Sequence, residues 1–159
     1  MSYHIYTTKG IVLSEKPWRE ADKVYTILTR DLGLVRATAL GARKVSSKLR
    51  GALEPFSLSL ISLVRGRERW RATSAQAIKL LPRTLTLANP FALIEKLVVG
   101  EAPHPELFDA VEKHLESDEI TLVSQILFHL GYLKREDLDL DKKGLIQAIN
   151  EGLQHSHLT

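Results

Sequence analysis

Apolar and polar positions change rhythm once along this chain. Through the first eighty residues they form short runs with a period near two, punctuated by Gly and Pro. From Pro82 onward they recur every three to four residues. Strands are therefore expected first and helices afterwards. Thr7 to Ser14 carries Ile11, Val12 and Leu13, enough for one strand. Glu15 to Ala21, with Pro17 among polar neighbours, is expected to turn. Asp22 to Arg30 is β-branched and aromatic and predicts a second strand. Asp31-Leu32-Gly33 is short enough to join it as an antiparallel hairpin to a third, Leu34 to Leu40. Phe56, Leu58 and Leu60 share one parity while Ile61 and Leu63 take the other, a slip that a β-bulge supplies. Trp70 to Lys79 completes five strands, with Trp70, Ala72 and Ile78 placed on one face.

In the second half, Asn89 with Pro90 predicts a helix start, and the helix runs to Gly100. Pro105 opens another, with Leu107, Phe108, Val111 and Leu115 at helical spacing. Ser117 or Asp118 caps a third that ends at Gly131. Lys134 to Lys143 is expected to be a charged connection. Leu145, Ile149 and Leu153 mark a short last helix. The fold class this predicts is α+β: a five-stranded OB-fold barrel in residues 1–81, followed by a small helical domain in residues 82–159. An SH3-like barrel is the structural competitor.

Charge sharpens the division. Residues 1–81 hold 15 Lys/Arg against 6 Asp/Glu, a net of +9, whereas residues 82–159 hold 7 against 13, a net of −6. A front half of this charge is suited to a polyanion, and the rear half is not. Arg43, Lys44, Lys48 and Arg50 lie in the connection between strands three and four with no acid among them. An OB-type groove runs over strands 2 and 3 between the 1–2 and 4–5 turns. The first of those turns holds Lys16, Trp18 and Arg19, and the second holds Arg65, Arg67 and Arg69 with Arg71 just beyond. Arg36, on strand three, falls between them. Cations beside an aromatic side chain suit a nucleic-acid strand, because phosphate is neutralised while bases stack. These twelve residues are the candidate DNA-binding set. Trp18 can equally belong to the core, and Trp70 reads as core.

Catalytic chemistry finds little support. His4, His104, His114, His129, His155 and His157 are scattered, and none forms a metal-ligand spacing with a Glu. Glu20 and Asp22, two apart at a strand start, read as hairpin acceptors. Without Cys there is no thiolate chemistry, and no run reaches the ~20 apolar residues that span a bilayer. No enzyme activity and no cofactor or metal is expected, and the expected location is cytoplasmic. A protein-interaction adaptor and an RNA-binding module remain as alternatives.

The order of several motifs over residues 10–66 resembles the RecO family of bacterial recombination mediators. They are Glu20 with Asp22, Thr29-Arg30-Asp31-Leu32-Gly33, Gly41-Ala42-Arg43-Lys44, Ser47 to Gly51, and Pro55-Phe56. Leu127-Phe128-His129-Leu130-Gly131 is similar to a family helix ending in Leu-Gly. That resemblance implies binding of single- and double-stranded DNA, strand annealing without bond chemistry, and help in loading RecA during homologous recombination and DNA repair. It implies RecR and single-stranded-DNA-binding protein as partners and a nucleoid-associated place in the bacterial cytoplasm. It also implies that Arg43, Lys44, Lys48 and Arg50 form the family's basic segment. Many members carry a four-Cys zinc module. With no Cys here, zinc is expected to be absent and the helical domain abbreviated, and its acidic charge disfavours an acidic peptide unless Arg83, Lys96 or Lys113 cluster.

Overall fold

The computed structural model describes residues 4–40 and 48–155. Two compact units emerge. The first runs as far as Arg83 and takes in Val99–Pro105; the second comprises Thr84–Val98 and the chain from Glu106 onward.

The first unit is built on five strands: β1 (Ile5–Trp18), β2 (Asp22–Thr29), β3 (Gly33–Ala39), β4 (Ser57–Arg65) and β5 (Trp70–Leu80). A short helix, α1 (Lys48–Ala52), precedes β4. β1 is longer than its apolar centre suggests, because pairing with β2 continues to Trp18↔Asp22 and leaves only residues 19–21 to turn. The β2–β3 hairpin is antiparallel across seven pairs, from Thr29↔Gly33 to Lys23↔Ala39. Gly33 has φ +79°, a left-handed value that suits glycine, and Thr29 Oγ1 donates to its carbonyl at 2.7 Å.

In space the strands follow the closed order β1-β2-β3-β5-β4, with β1 returning to pair with β4. Neighbours are antiparallel except β3 and β5, which meet in parallel at Ala37↔Trp70 and Thr38↔Arg71 alone. Through that two-pair seam the mixed sheet closes into the expected five-stranded barrel. β3 stops at Ala39 and β5 starts at Trp70, so the two strands overlap by about one turn of pleat and cannot be bonded along their length. The architecture is a mixed sheet followed by helices.

Side chains at alternate positions fill the interior of the sheet: Val12, Tyr25, Ile27, Val35, Ala37, Ile61, Leu63 and Trp70, with Leu53 entering just after α1. At 0% exposure, Leu53 shows why the connection after β3 ends in a helical turn: it places one leucine in the core. The phase slip expected within β4 is not seen there: β4 pairs regularly with β1, and the register shifts at Leu58/Ser59 and Ser62/Leu63 put their extra residues, Ile78 and Thr73, in β5. The same shifts overturn the expected placing of Ile78 with Trp70 and Ala72. Ile78 falls in the irregularity between Leu58↔Lys79 and Ser59↔Ala77, and it is 52% exposed while Trp70 and Ala72 are buried.

The second unit contains α2 (Leu85–Leu97), α4 (Glu119–His129) and α5 (Lys142–His155), together with α3 (Pro105–Lys113), which begins at its margin. α2 starts four residues before the expected cap, with Thr84 at its N-cap and Pro90 inside it and buried. Asn89 caps nothing; its side-chain amide donates to Glu119 at 2.8 Å. Asp118 does cap α4, accepting from the Thr121 N–H at 2.7 Å, and those bonds hold its carboxyl below the usual carboxylate range. The expected connection from Lys134 contains a 3-10 turn, Arg135–Asp139, closed by Asp137 accepting from the Lys134 N–H at 2.8 Å. Leu127, Leu133, Leu145 and Ile149 form a core patched by Leu93, Leu97 and Val123.

Candidate nucleic-acid interface

Two turns bring separate parts of the chain together. The β1–β2 turn has Arg19 at its tip with φ +57°, an uncommon backbone for a residue bearing Cβ. The β4–β5 turn is pinched at Gly66, whose N–H donates to the Arg69 carbonyl at 3.0 Å. A Cβ on Gly66 would strike that same carbonyl, so this turn needs glycine. Arg69 then reaches across, its guanidinium carbon 4.3 Å from the centre of the Trp18 ring.

The turns enclose a groove of about 290 Å³. Trp18, Arg19 and Asp22 line it from one side, and Arg67, Glu68, Arg69 and Arg71 line it from the other. Thr38 of β3 contributes between them. Four arginines against two acids leave the groove net +2. Register extends the positive surface beyond it. Lys16 pairs with Val24, Val24 with Thr38 and Thr38 with Arg71, while Thr26 pairs with both Ser14 and Arg36. Cross-strand partners share a face, so Lys16, Arg36 and Arg71 stand on the face that carries Trp18. All three are exposed.

Other expected residues lie elsewhere. Arg65 is exposed but engaged, donating to Glu101 at 2.6 Å with its guanidinium 5.0 Å from the Trp70 ring centre. Trp70 is core, 6% exposed. Lys48 and Arg50 belong to α1 and do not line the groove. Arg43 and Lys44 lie outside the described residues. Arg83, weighed above as part of a cationic cluster, is occupied by carboxylates, with Nη2 at 3.0 Å from Glu54 and 3.7 Å from Glu15. Sequence reasoning missed Tyr6, whose ring meets Trp70 edge-on at 5.4 Å, and Glu101, which sits in a loop with no periodic signal.

Beneath the groove face, Tyr25 is fully buried beside its register partner Glu15. Burial first, then the Glu15 and Glu54 carboxylates, push its phenol well above the ordinary tyrosine value. The unfolded chain releases this proton near pH ~10 and the folded chain holds it. Stability linked to Tyr25 is therefore complete below that pH and is lost as pH rises beyond it. Melting temperatures from about pH 9 to 11 are expected to fall more steeply for the native chain than for Tyr25→Phe. Parallel curves would show that Tyr25 contributes nothing to the alkaline limb.

Among the described residues no group of three or more His, Asp or Glu could hold a metal ion, and no helix is long and apolar enough to cross a membrane. The family model for the recombination protein O N-terminal domain matches residues 1–81. A DNA repair protein RecO from Synechococcus sp. (strain JA-2-3B'a(2-13)) is 35% identical over 156 residues, covering 82% of this chain and 54% of that protein. The RecO of Gloeobacter violaceus is 36% identical over 138 residues, covering 82% of this chain and 52% of its own length. That of Gloeothece citriformis is 34% identical, covering 79% of this chain and 47% of its own length. The chain thus spans about half the length of the curated relatives it matches.

Proposed function

This chain belongs to the RecO family, and from that premise we propose that it is a non-enzymatic DNA-binding mediator of recombination and repair. It binds single and double strands, anneals complementary ones and assists RecA loading, with RecR and single-stranded-DNA-binding protein as partners, in the bacterial cytoplasm at the nucleoid. The sheet unit is the nucleic-acid-binding part and the helices form a second unit. The observation that supports this most is the meeting of Trp18 and Arg19 with Arg67, Arg69 and Arg71 around one groove. Lys16 and Arg36 extend the path of the phosphates across the same face. Arg65 is held by Glu101 outside the groove, and Arg43, Lys44, Lys48 and Arg50 act as a second basic patch.

The mechanism needs no bond chemistry. Annealing is limited by repulsion between two polyanions, and a cationic face lowers that repulsion while raising the local strand concentration. Each phosphate neutralised releases counterion, so affinity must fall with salt. Fluorescence anisotropy with labelled single-stranded DNA should show binding that weakens at least tenfold between about 50 and 200 mM salt. Weak binding that ignores salt would reject the reading.

A further inference from the structure

We propose that Arg65 and the Trp70 indole N–H form a two-donor oxyanion site for a nucleic-acid phosphate, which the chain's own Glu101 occupies in competition with it. The two carboxylate oxygens of Glu101 are divided between the donors: Oε2 accepts from Arg65 at 2.6 Å, and Oε1 accepts from Trp70 Nε1 at 3.1 Å. A phosphodiester also presents two anionic oxygens, so it can replace both bonds at once.

Two features make the contact exchangeable and directional, and a third explains why Glu101 is the group that fills the site. The pair is open to solvent, with Arg65 57% and Glu101 42% exposed at the side chain. An exposed pair of that kind is worth no more than about fivefold in an equilibrium, so a phosphate can displace it. The indole is held rigidly, because Trp70 is 6% exposed, belongs to the sheet core and meets Tyr6 edge-on. Its N–H therefore points at one fixed place, and a ligand that displaces Glu101 without accepting from it leaves a donor unsatisfied. Finally, the segment bearing Glu101 is seated against β3: a Cβ at Gly33 would come within 2.6 Å of the Ala102 carbonyl oxygen. Glu101 is thus delivered to Arg65 by backbone packing and not by chance approach of a long side chain.

This inference rests on the DNA-binding reading and adds a competitor to it. A double-mutant cycle on labelled oligothymidylate tests it, with the native chain, Glu101→Gln, Arg65→Ala and the double variant measured at several salt concentrations. Glutamine keeps an acceptor for the indole and removes the charge, so the fold is expected to survive, which thermal melting verifies. Glu101→Gln should bind roughly threefold to fivefold tighter at low salt, with the salt slope steeper by about 0.7, the share of one further phosphate. Arg65→Ala should weaken the native chain less than twofold and the Glu101→Gln chain by the full threefold to fivefold. A native chain that binds with normal salt dependence while Glu101→Gln matches it overturns the competition and leaves the DNA reading standing. A gain that persists without Arg65 overturns it too. A native chain with no salt-dependent binding removes both.

Discussion

Changing Arg67, Arg69 and Arg71 together to Glu is expected to weaken binding of single-stranded DNA by at least ~100-fold at about 0.1 M salt. These three line the groove with Arg19, opposed by Asp22 and Glu68, so the substitutions take it from net +2 to net −4. A phosphate that was attracted then meets repulsion from an open groove of reversed sign. Loss of three phosphate contacts should also lower the salt slope by about 2. Arg69 adds a second loss, since it lies over Trp18 and fixes that ring's position. Anisotropy titrations on the reversed variant decide this, with circular dichroism to establish that the sheet is intact. An unchanged slope would mean that the strand runs elsewhere, and the face carrying Lys16 and Arg36 would lose its reason for being read as a path.

Gly33→Ala is the substitution expected to cost the most stability for the fewest atoms. Its φ of +79° already disfavours any side chain, and the added Cβ would sit 2.6 Å from the Ala102 oxygen and 2.8 Å from the Glu101 carbonyl carbon. Both are backbone atoms, which cannot rotate away as a side chain would. Strain and displacement together should remove roughly 2–4 kcal/mol, measurable as a lowered urea midpoint. Gly51→Ala is the control: it lies in α1 with nothing within 4 Å of the new methyl, and should be neutral or stabilising by about 0.5–1 kcal/mol. If both variants melt alike, the close packing of the Val99–Pro105 segment on Gly33 does not hold in solution. Displacing that segment would also carry Glu101 away from Arg65, so Gly33→Ala should mimic part of the tighter binding expected of Glu101→Gln.

The amino-acid order by itself determined a good deal. The change of period near Pro82, the hairpin at Asp31-Leu32-Gly33 and the cap at Asp118 all follow from local chemistry. Each depends on a few neighbouring residues, and each has a counterpart in the structure. The clustering of cations in the two turns was legible for the same reason. Only the tertiary structure decided how the strands close. Whether β3 and β5 bond along their length depends on where each ends, and cross-strand pairing extended β1 to Trp18 while it left β3 and β5 two residues of contact. It alone decided which arginines are available as well. Arg65 and Arg67 look alike in the string Arg65-Gly66-Arg67, yet the first is held by a carboxylate thirty-six positions away and the second lines the groove. Distance along a chain carries no information about such a partner, because charge acts through space and the fold sets the separation.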